Sequence, residues 1–256
     1  MHGVPVPIST KHEDNFKLTA KALKEKITDK TKILILPFPN NPTGAIMTRE
    51  DLEEIAEVLR GTDIIILSDE IYSELTYGRK HCSITEIEDM QERTIHINGF
   101  SKAFAMTGWR LGYLAAPEPI VTQIMKIHQY AIMSSPTISQ YAAIEALTKC
   151  DAEVKKMVTE YNMRRRLIVD KFNEIGLDCF NPEGAFYVFP CIKSTGLSSE
   201  EFCERLLNEQ KVAVVPGNAF GQSGEGFIRV SYAYSLKHLM EALKRIELFV
   251  NNLKNR

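Results

Sequence analysis

The sequence lacks several features that would place it in a specialised class. No apolar run approaches the roughly 20 residues of a membrane-spanning helix, and residues 1–7 have neither the basic nor the apolar stretch of a secretory leader. The five cysteines are odd in number and far apart, without a C-x-x-C pair. That pattern argues against a disulfide framework or a zinc knuckle. We therefore expect a cytoplasmic protein with reduced cysteines.

An excess of charge is also lacking. Lys and Arg number 31 against 33 for Asp and Glu, which gives a formal net charge of −2. Such a balance exerts no general attraction on nucleic acid or an anionic membrane, so we expect neither as a partner. The six histidines lack the spacing of metal ligands, so we expect no metal site. The run at 164–166, three arginines, is interpreted as a solvated helix face or a subunit contact.

The first half of the chain alternates strand and helix patterns. Two short, wholly apolar runs suit strands of a parallel sheet that are buried on both faces. Between them, Thr48 is a candidate N-cap with Asp51 at the third helical position, and Gly61 follows the last periodic residue. This order predicts a right-handed βαβ unit and hence an α/β fold, a mostly parallel sheet sandwiched by helices. The strands expected here are 33–37, 64–68, 94–98 and 111–116.

The second half is different in character. A long helical stripe is followed by short strand patterns and two helices, the first opened by a capping box at Ser198. We interpret this part as a smaller α+β layer, so residues 1–155 and 156–256 are predicted to be separate domains. The helices expected are 118–131, 137–148, 152–175, one from Ser198 and 235–253, and the strands are 185–190, 212–216 and 226–232.

Polar residues follow the expected strands of the first half. Asn41 and Asp69 come at or just after the ends of two strands, where ligands of open parallel sheets bind. A turn or a helix cap would explain either residue alone. An ionised carboxylate in a buried setting, however, needs a cation or several donors, and a pyridinium nitrogen is one such partner.

Lys102 is the most informative residue. It follows the third strand in a segment with few other charges, and a neutral lysine amine is the species that forms a Schiff base with a carbonyl. Arg110 lies eight residues further on and is a suitable fork for a phosphate. A lone lysine is usually a solvated surface residue, but this pair stands between stretches of small apolar residues.

With these motifs the sequence resembles the class I aminotransferases, pyridoxal-phosphate-dependent enzymes of fold type I, and among them the aspartate-aminotransferase-like branch. The resemblance extends over essentially the whole chain, in the family's order and at its approximate spacing. The matching motifs are Asn41-Pro42-Thr43-Gly44, Ser68-Asp69-Glu70-Ile71-Tyr72, the stretch from Gly99 to Gly112, Gly184-Ala185-Phe186-Tyr187 and Gly226-Phe227-Ile228-Arg229-Val230-Ser231.

The resemblance implies roles around pyridoxal 5′-phosphate. Lys102 would form the Schiff base and then act as the base that moves the substrate proton. Asp69 would pair with the pyridine nitrogen and keep it protonated, which makes the ring an electron sink. Tyr72 and Asn41 would bind the phenolic oxygen of the cofactor, and Arg110 would hold its phosphate.

It also implies a substrate and an assembly. Arg229 would take the α-carboxylate of an amino acid, Asn41 would also contact the substrate, and the amino group would pass to a 2-oxo acid. A cytoplasmic homodimer in amino-acid metabolism is expected. The Asn41–Pro42 bond is expected to be cis, as in relatives.

The chain departs from the family in two ways. The family has a substantial N-terminal portion before anything like residues 3–6, so we expect that part of the large domain to be missing here. Gly99 stands where relatives often have a phosphate-binding serine. Two alternatives therefore stay open beside a transaminase: a carbon–sulfur β-lyase on the same fold, and a catalytically inactive fragment.

Overall fold

The computed structural model describes residues 3–254, which divide into two compact units. Unit 1 comprises residues up to Thr10, Lys17–Pro39 and Ile46–Val158. Unit 2 comprises Lys11–Phe16, Asn40–Ala45 and residues from Thr159 onward. The short segment that contains Asn41 therefore groups with the C-terminal unit, although it follows a strand of the first. The division into domains at residue 155 stays a prediction.

The sheet of unit 1 confirms the α/β expectation. Its strands lie in the order β1-β2-β3-β4, with β1, β2 and β3 parallel and β4 antiparallel to β3. Each strand is within two residues of its predicted bounds. The strands are β1 (Ile33–Leu36), β2 (Ile65–Asp69), β3 (Thr94–Gly99) and β4 (Gly112–Ala115).

The expectation that β1 is buried on both faces was wrong. Leu34 and Leu36 are buried, but Ile33 and Ile35 are 53% and 63% exposed. These side chains alternate between the two faces of the strand. In the part of the chain that the structure describes, one face of this edge strand is therefore open to solvent.

Local signals placed four of the five helices that begin in the described part of unit 1, and the short α1 was not predicted. The Thr48 side chain accepts from the Asp51 N–H, and the Asp51 carboxylate accepts from the Thr48 N–H, so the predicted capping box is present. Gly61 has a φ of +73°, as a glycine after a helix end should. The helices that begin in this unit are α1 (Ala20–Lys24), α2 (Arg49–Leu59), α3 (Glu118–Ala131), α4 (Thr137–Lys149) and α5 (Asp151–Glu174), the last of which continues into unit 2.

Unit 2 packs helices on a small antiparallel sheet of order β5-β7-β6. Phe172, Phe202 and Phe249 are fully buried between them. The three strands are shorter than expected. At β5 the reason is that Ala185 has a φ of +56° and that Pro190 has no N–H to donate. The elements are β5 (Tyr187–Val188), α6 (Ser199–Gln210), β6 (Val215–Pro216), β7 (Ile228–Ser231) and α7 (Leu236–Lys254).

Two local expectations need correction. Ser198 does cap α6 by accepting from the Glu201 N–H, but the Glu201 carboxylate lies 3.9 Å from the Arg205 guanidinium, so the ion pair replaces the second half of the capping box. The cis peptide among the described residues is Phe38–Pro39 rather than Asn41–Pro42. Either isomer of an X–Pro bond is accessible, and the folded surroundings decide between them.

Candidate active site

Asp69 is the last residue of β2, at the carboxyl end of the parallel strands. Its Oδ1 atom accepts a hydrogen bond from the Ile71 N–H at 3.2 Å, which starts the turn that follows. Tyr72 lies in this turn and is only 5% exposed. The Asp69 carboxylate therefore stabilises a turn, as the structural interpretation of this residue predicts. It is half-buried and lies at the end of the sheet where ligands bind.

Lys102 lies in a tight loop directly after β3. The Phe100 carbonyl accepts the N–H groups of Phe104 (3.3 Å) and Met106 (3.2 Å), so the backbone folds back on itself around the lysine. The Lys102 Nζ atom is 5.6 Å from the centre of the Tyr72 ring, within the range of a cation–π contact. Two of the residues predicted from separate motifs are thus brought together by β2 and β3.

Arg110 ends the same segment in a left-handed conformation, with φ 53° and ψ 48°. Its Nη1 atom donates to the Thr107 carbonyl at 3.0 Å, which fixes one side of an exposed guanidinium. A guanidinium has further N–H donors in a planar fork and suits a phosphate. Its position is compatible with the predicted role, which stays a prediction.

Gly99 has a structural reason for departing from the family's serine. It is paired with Gly112 across β3 and β4. A Cβ atom at Gly99 would lie 3.0 Å from the Gly112 Cα atom, 3.1 Å from the Leu111 carbonyl oxygen and 3.2 Å from Ile71 Cδ1. The close approach of the two strands therefore favours glycine, and a serine would require them to separate.

Arg229 of β7 is held from three sides within unit 2. Its guanidinium carbon is 4.7 Å from the centre of the Tyr187 ring and 4.9 Å from that of Phe220. Its Nη1 atom donates to Asn41 Oδ1 at 2.9 Å. The aromatic faces restrict the plane of the guanidinium, and Asn41 fixes its rotation within that plane. Such an arrangement can bind a carboxylate in a bidentate manner.

Within unit 2, the turn that contains Asn41 is held in place by contacts of Gly44. The Gly44 carbonyl accepts from the Gly184 N–H at 2.9 Å, and the Gly44 N–H donates to the Asn40 carbonyl at 2.8 Å. Gly44 has a φ of +72°, and an added Cβ atom would meet Pro182 and the carbonyl oxygens of Gly184 and Tyr187. The glycine of the motif thus sets the position of the Asn41 side chain.

The sequence analysis missed the role of Arg165. It is 7% exposed rather than solvated, and it donates to the Pro182 carbonyl at 3.0 Å and to Asn162 and Asn181. It therefore fixes the loop against which Gly44 packs. Its neighbours in the run gave no local signal of this burial, because α5 presents successive residues to different sides.

The sequence analysis also underestimated Glu70. This carboxylate is 2% exposed and accepts from Ser68, Ser83 and His81, with His96 close by. Burial alone would raise the pKa of Glu70, but the hydrogen bonds from the two histidines outweigh it and lower that pKa to about 2. Glu70 follows the last residue of β2 and continues its alternation, which puts it on the same face as Ser68 and was the available signal.

Comparison with known proteins agrees with this geometry. Residues 1–246 match the family model described as aminotransferase class I and II. An aromatic-amino-acid aminotransferase of Thermococcus litoralis is 49% identical over 98% of this chain and 66% of its own length. An aspartate aminotransferase of Pyrococcus abyssi is 48% identical over the same shares. The chain thus spans about two thirds of the length of the curated relatives it matches.

A solved structure gives the same result for the fold. The aromatic aminotransferase of Pyrococcus horikoshii superposes with a TM-score of 0.95 at 47% identity, covering 98% of this chain and 68% of that one. The fold is that of the fold-type I aminotransferases. The chain belongs to the aminotransferase class I and II family, whose members depend on pyridoxal phosphate. No helix among residues 3–254 is long and apolar enough to cross a membrane.

Proposed function

We propose that the protein is a pyridoxal-phosphate-dependent aminotransferase that moves the amino group of an aspartate-like or related amino acid to a 2-oxo acid. The observation that carries the proposal is the Lys102 amine, 5.6 Å from the ring centre of the buried Tyr72, which stands three residues after Asp69. The names of the relatives, aspartate and aromatic-amino-acid aminotransferases, support the substrate class.

The residues of unit 1 fit the cofactor. Lys102 supplies an amine for covalent attachment to an aldehyde, Asp69 a carboxylate for the pyridine nitrogen, and Arg110 an exposed guanidinium for the phosphate. When bound, pyridoxal phosphate supplies an electron sink that stabilises negative charge at the substrate Cα. Lys102 would take the proton from that atom and return it later. Tyr72, buried beneath the amine, would keep Lys102 in place and bind the phenolic oxygen.

The residues of unit 2 would bind the substrate. Arg229 would pair with the α-carboxylate that every amino acid and 2-oxo acid carries. The rings of Tyr187 and Phe220 orient it, and Asn41 accepts one of its N–H groups. The guanidinium is therefore preorganised before substrate arrives, which reduces the ordering cost of binding.

We further propose a homodimer in the cytoplasm. Large apolar side chains are exposed on and between α3 and α4, and contiguous exposed apolar surface usually marks an interface. The most exposed are Tyr130 (95%), Met133 (79%), Tyr141 (71%) and Ile138 (70%). The free cysteines agree with a reducing compartment. Light scattering during size exclusion would test the assembly, and a monomer at micromolar concentration would contradict it.

A spectroscopic and a product assay test the activity. Added pyridoxal phosphate should give a visible absorption band that borohydride abolishes. After the reduction, the pyridoxyl group should be found on the peptide that contains Lys102. Aspartate with 2-oxoglutarate should then give glutamate. Lys102→Ala is the control and should show neither. A protein that stays colourless would refute the cofactor, and pyruvate with ammonia from cystathionine alone would indicate a lyase instead.

A further inference from the structure

Glu70 is the centre of a buried cluster in unit 1. Its Oε1 atom accepts from Ser83 Oγ at 2.7 Å and from Ser68 Oγ at 2.9 Å, and lies 3.4 Å from His96 Nδ1. Its Oε2 atom is 2.5 Å from His81 Nε2. A carboxylate can accept about four hydrogen bonds, so this one is fully engaged. Its cost of burial is offset by these contacts, and removing one partner would expose that cost.

The cluster is attached to the turn that carries the proposed cofactor residues. Glu70 follows Asp69 directly, and its N–H continues the ladder by donating to the Ile97 carbonyl at 2.8 Å. The Glu70 carbonyl accepts from the Ser73 N–H at 2.9 Å, and the Ser73 hydroxyl accepts from Asn98 Nδ2 at 3.0 Å. Because neighbouring strand residues point to opposite faces, fixing Glu70 on one face orients Asp69 on the other.

The same cluster is connected to the lysine loop by ring contacts. The His96 ring is 6.5 Å from the ring of Tyr113 on β4, and the Tyr113 ring is 5.9 Å from that of Phe100. The Phe100 carbonyl is the acceptor around which the loop with Lys102 folds. Displacement of His96 would therefore be transmitted to the loop through contiguous packed rings.

We propose that Glu70 is a positioning residue: clamped by His81 and His96, it fixes the turn that presents Asp69 and Tyr72 and so sets the protonation behaviour of the active site. This inference rests on the proposed function. His81 lies eleven residues after Glu70 in sequence, so the clamp closes the whole segment between them into a loop. The cluster acts through the backbone of the turn and through the ring contacts of Tyr113 and Phe100.

Other titratable groups surround the cluster. Burial raises the pKa of Cys82 and that of Tyr113, and both also sense the Glu70 charge. The hydrogen bond that His96 donates to the Glu70 carboxylate raises the pKa of His96, against the opposing effect of burial. The remaining charged groups that act on Cys82 or Tyr113 are Arg49, Glu50, Glu74 and Glu86.

The first test uses the protein without cofactor. In Glu70→Gln, an NMR titration should show the pKa of His96 falling toward its ordinary value, and amide exchange of residues 70–75 should rise at least about tenfold. Glu86→Gln is the matched control. The Glu86 carboxylate also accepts a hydrogen bond from Ser83, through the Ser83 N–H, but it is exposed. It should leave both readouts unchanged. Equal amide-exchange rates for residues 70–75 in Glu70→Gln and Glu86→Gln would overturn the proposal.

The second test uses the holoenzyme. Glu70→Gln should lower kcat by about tenfold to a hundredfold, as expected for a misplaced reacting group, and shift the pH at which the visible band changes. KM should change less than about twofold, because Arg229 is untouched. Unchanged kcat and an unchanged band pH in folded Glu70→Gln would overturn the proposal.

A second pair of variants covers a Glu70→Gln protein that fails to fold. His81→Gln keeps a donor near the position of Nε2, whereas His81→Leu removes it. The proposal requires His81→Gln to retain kcat within about threefold and His81→Leu to lose about tenfold or more. Equal loss in both would overturn it. If the wild type binds no cofactor, the proposed function fails, whereas the exchange and histidine measurements still decide the clamp.

Discussion

Replacing Gly44 by alanine separates backbone strain from steric clash. Gly44 has a φ of +72°, and Gly196, also in unit 2, has a φ of +73°. A non-glycine residue in this left-handed region costs about 1–2 kcal/mol, so both substitutions share that cost. The difference lies in the surroundings: a Cβ atom at Gly196 meets nothing within 4 Å.

At Gly44 the new methyl group meets a filled space. It would lie 2.8 Å from the Gly184 carbonyl oxygen and 3.0 Å from that of Tyr187, and it would overlap Pro182 Cβ. These separations are inside the roughly 3.5 Å at which such atoms stop repelling. Overpacking of this kind costs about 1–3 kcal/mol, so Gly44→Ala should lower the free energy of unfolding by about 2–5 kcal/mol in total.

Urea denaturation followed by circular dichroism measures both variants. Gly44→Ala should be less stable than Gly196→Ala by about 1–3 kcal/mol, the steric part alone. Gly44→Ala should also raise KM for amino acid substrates, since the displaced turn carries Asn41, the acceptor for Arg229. Equal destabilisation in the two variants would refute the reasoning, because it would mean that the loop containing Pro182 yields without cost.

Three further predictions concern the proposed site. Lys102→Arg should keep the positive charge near the Tyr72 ring but lose more than about a thousandfold in kcat, because a guanidinium cannot form the covalent link; a steady-state assay showing near wild-type turnover would contradict the role of the amine. Phe220→Leu should raise KM about threefold to tenfold with little change in kcat, since it removes one aromatic face from Arg229; an equal change in kcat would show that the ring does more than orient the guanidinium. Glu70 has a pKa lowered from 4.5 to about 2, so it should contribute up to about 3 kcal/mol of stability above pH 4.5, lost as the pH falls toward 2. His96 has a raised pKa, so its contribution is complete below its ordinary value of 6.5 and is lost as the pH rises through the folded value. The difference in unfolding free energy between wild type and Glu70→Gln should therefore be largest between about pH 4.5 and 6.5, and a difference that does not vary with pH would contradict it.

The sequence by itself determined the local elements and the family. Helix α2 was predicted from Thr48, Asp51 and the apolar spacing between them and Gly61, and its capping box is confirmed. The βαβ order followed, and with it the expectation that Asn41 and Asp69 stand at the strand ends where ligands of parallel sheets bind. These features depend on interactions between residues a few positions apart, so the order of residue types contains them.

Only the tertiary structure decided the contacts between distant residues. The hydrophobic periodicity of the sequence predicts that a residue is buried, but it does not predict which residue it contacts. It could not show that Asn41 accepts from Arg229, 188 positions away. Nor could it show that His81 and His96 surround Glu70, or that one face of β1 is open. These contacts arise when separate elements pack, because a buried polar group must then find whichever donors the fold brings near.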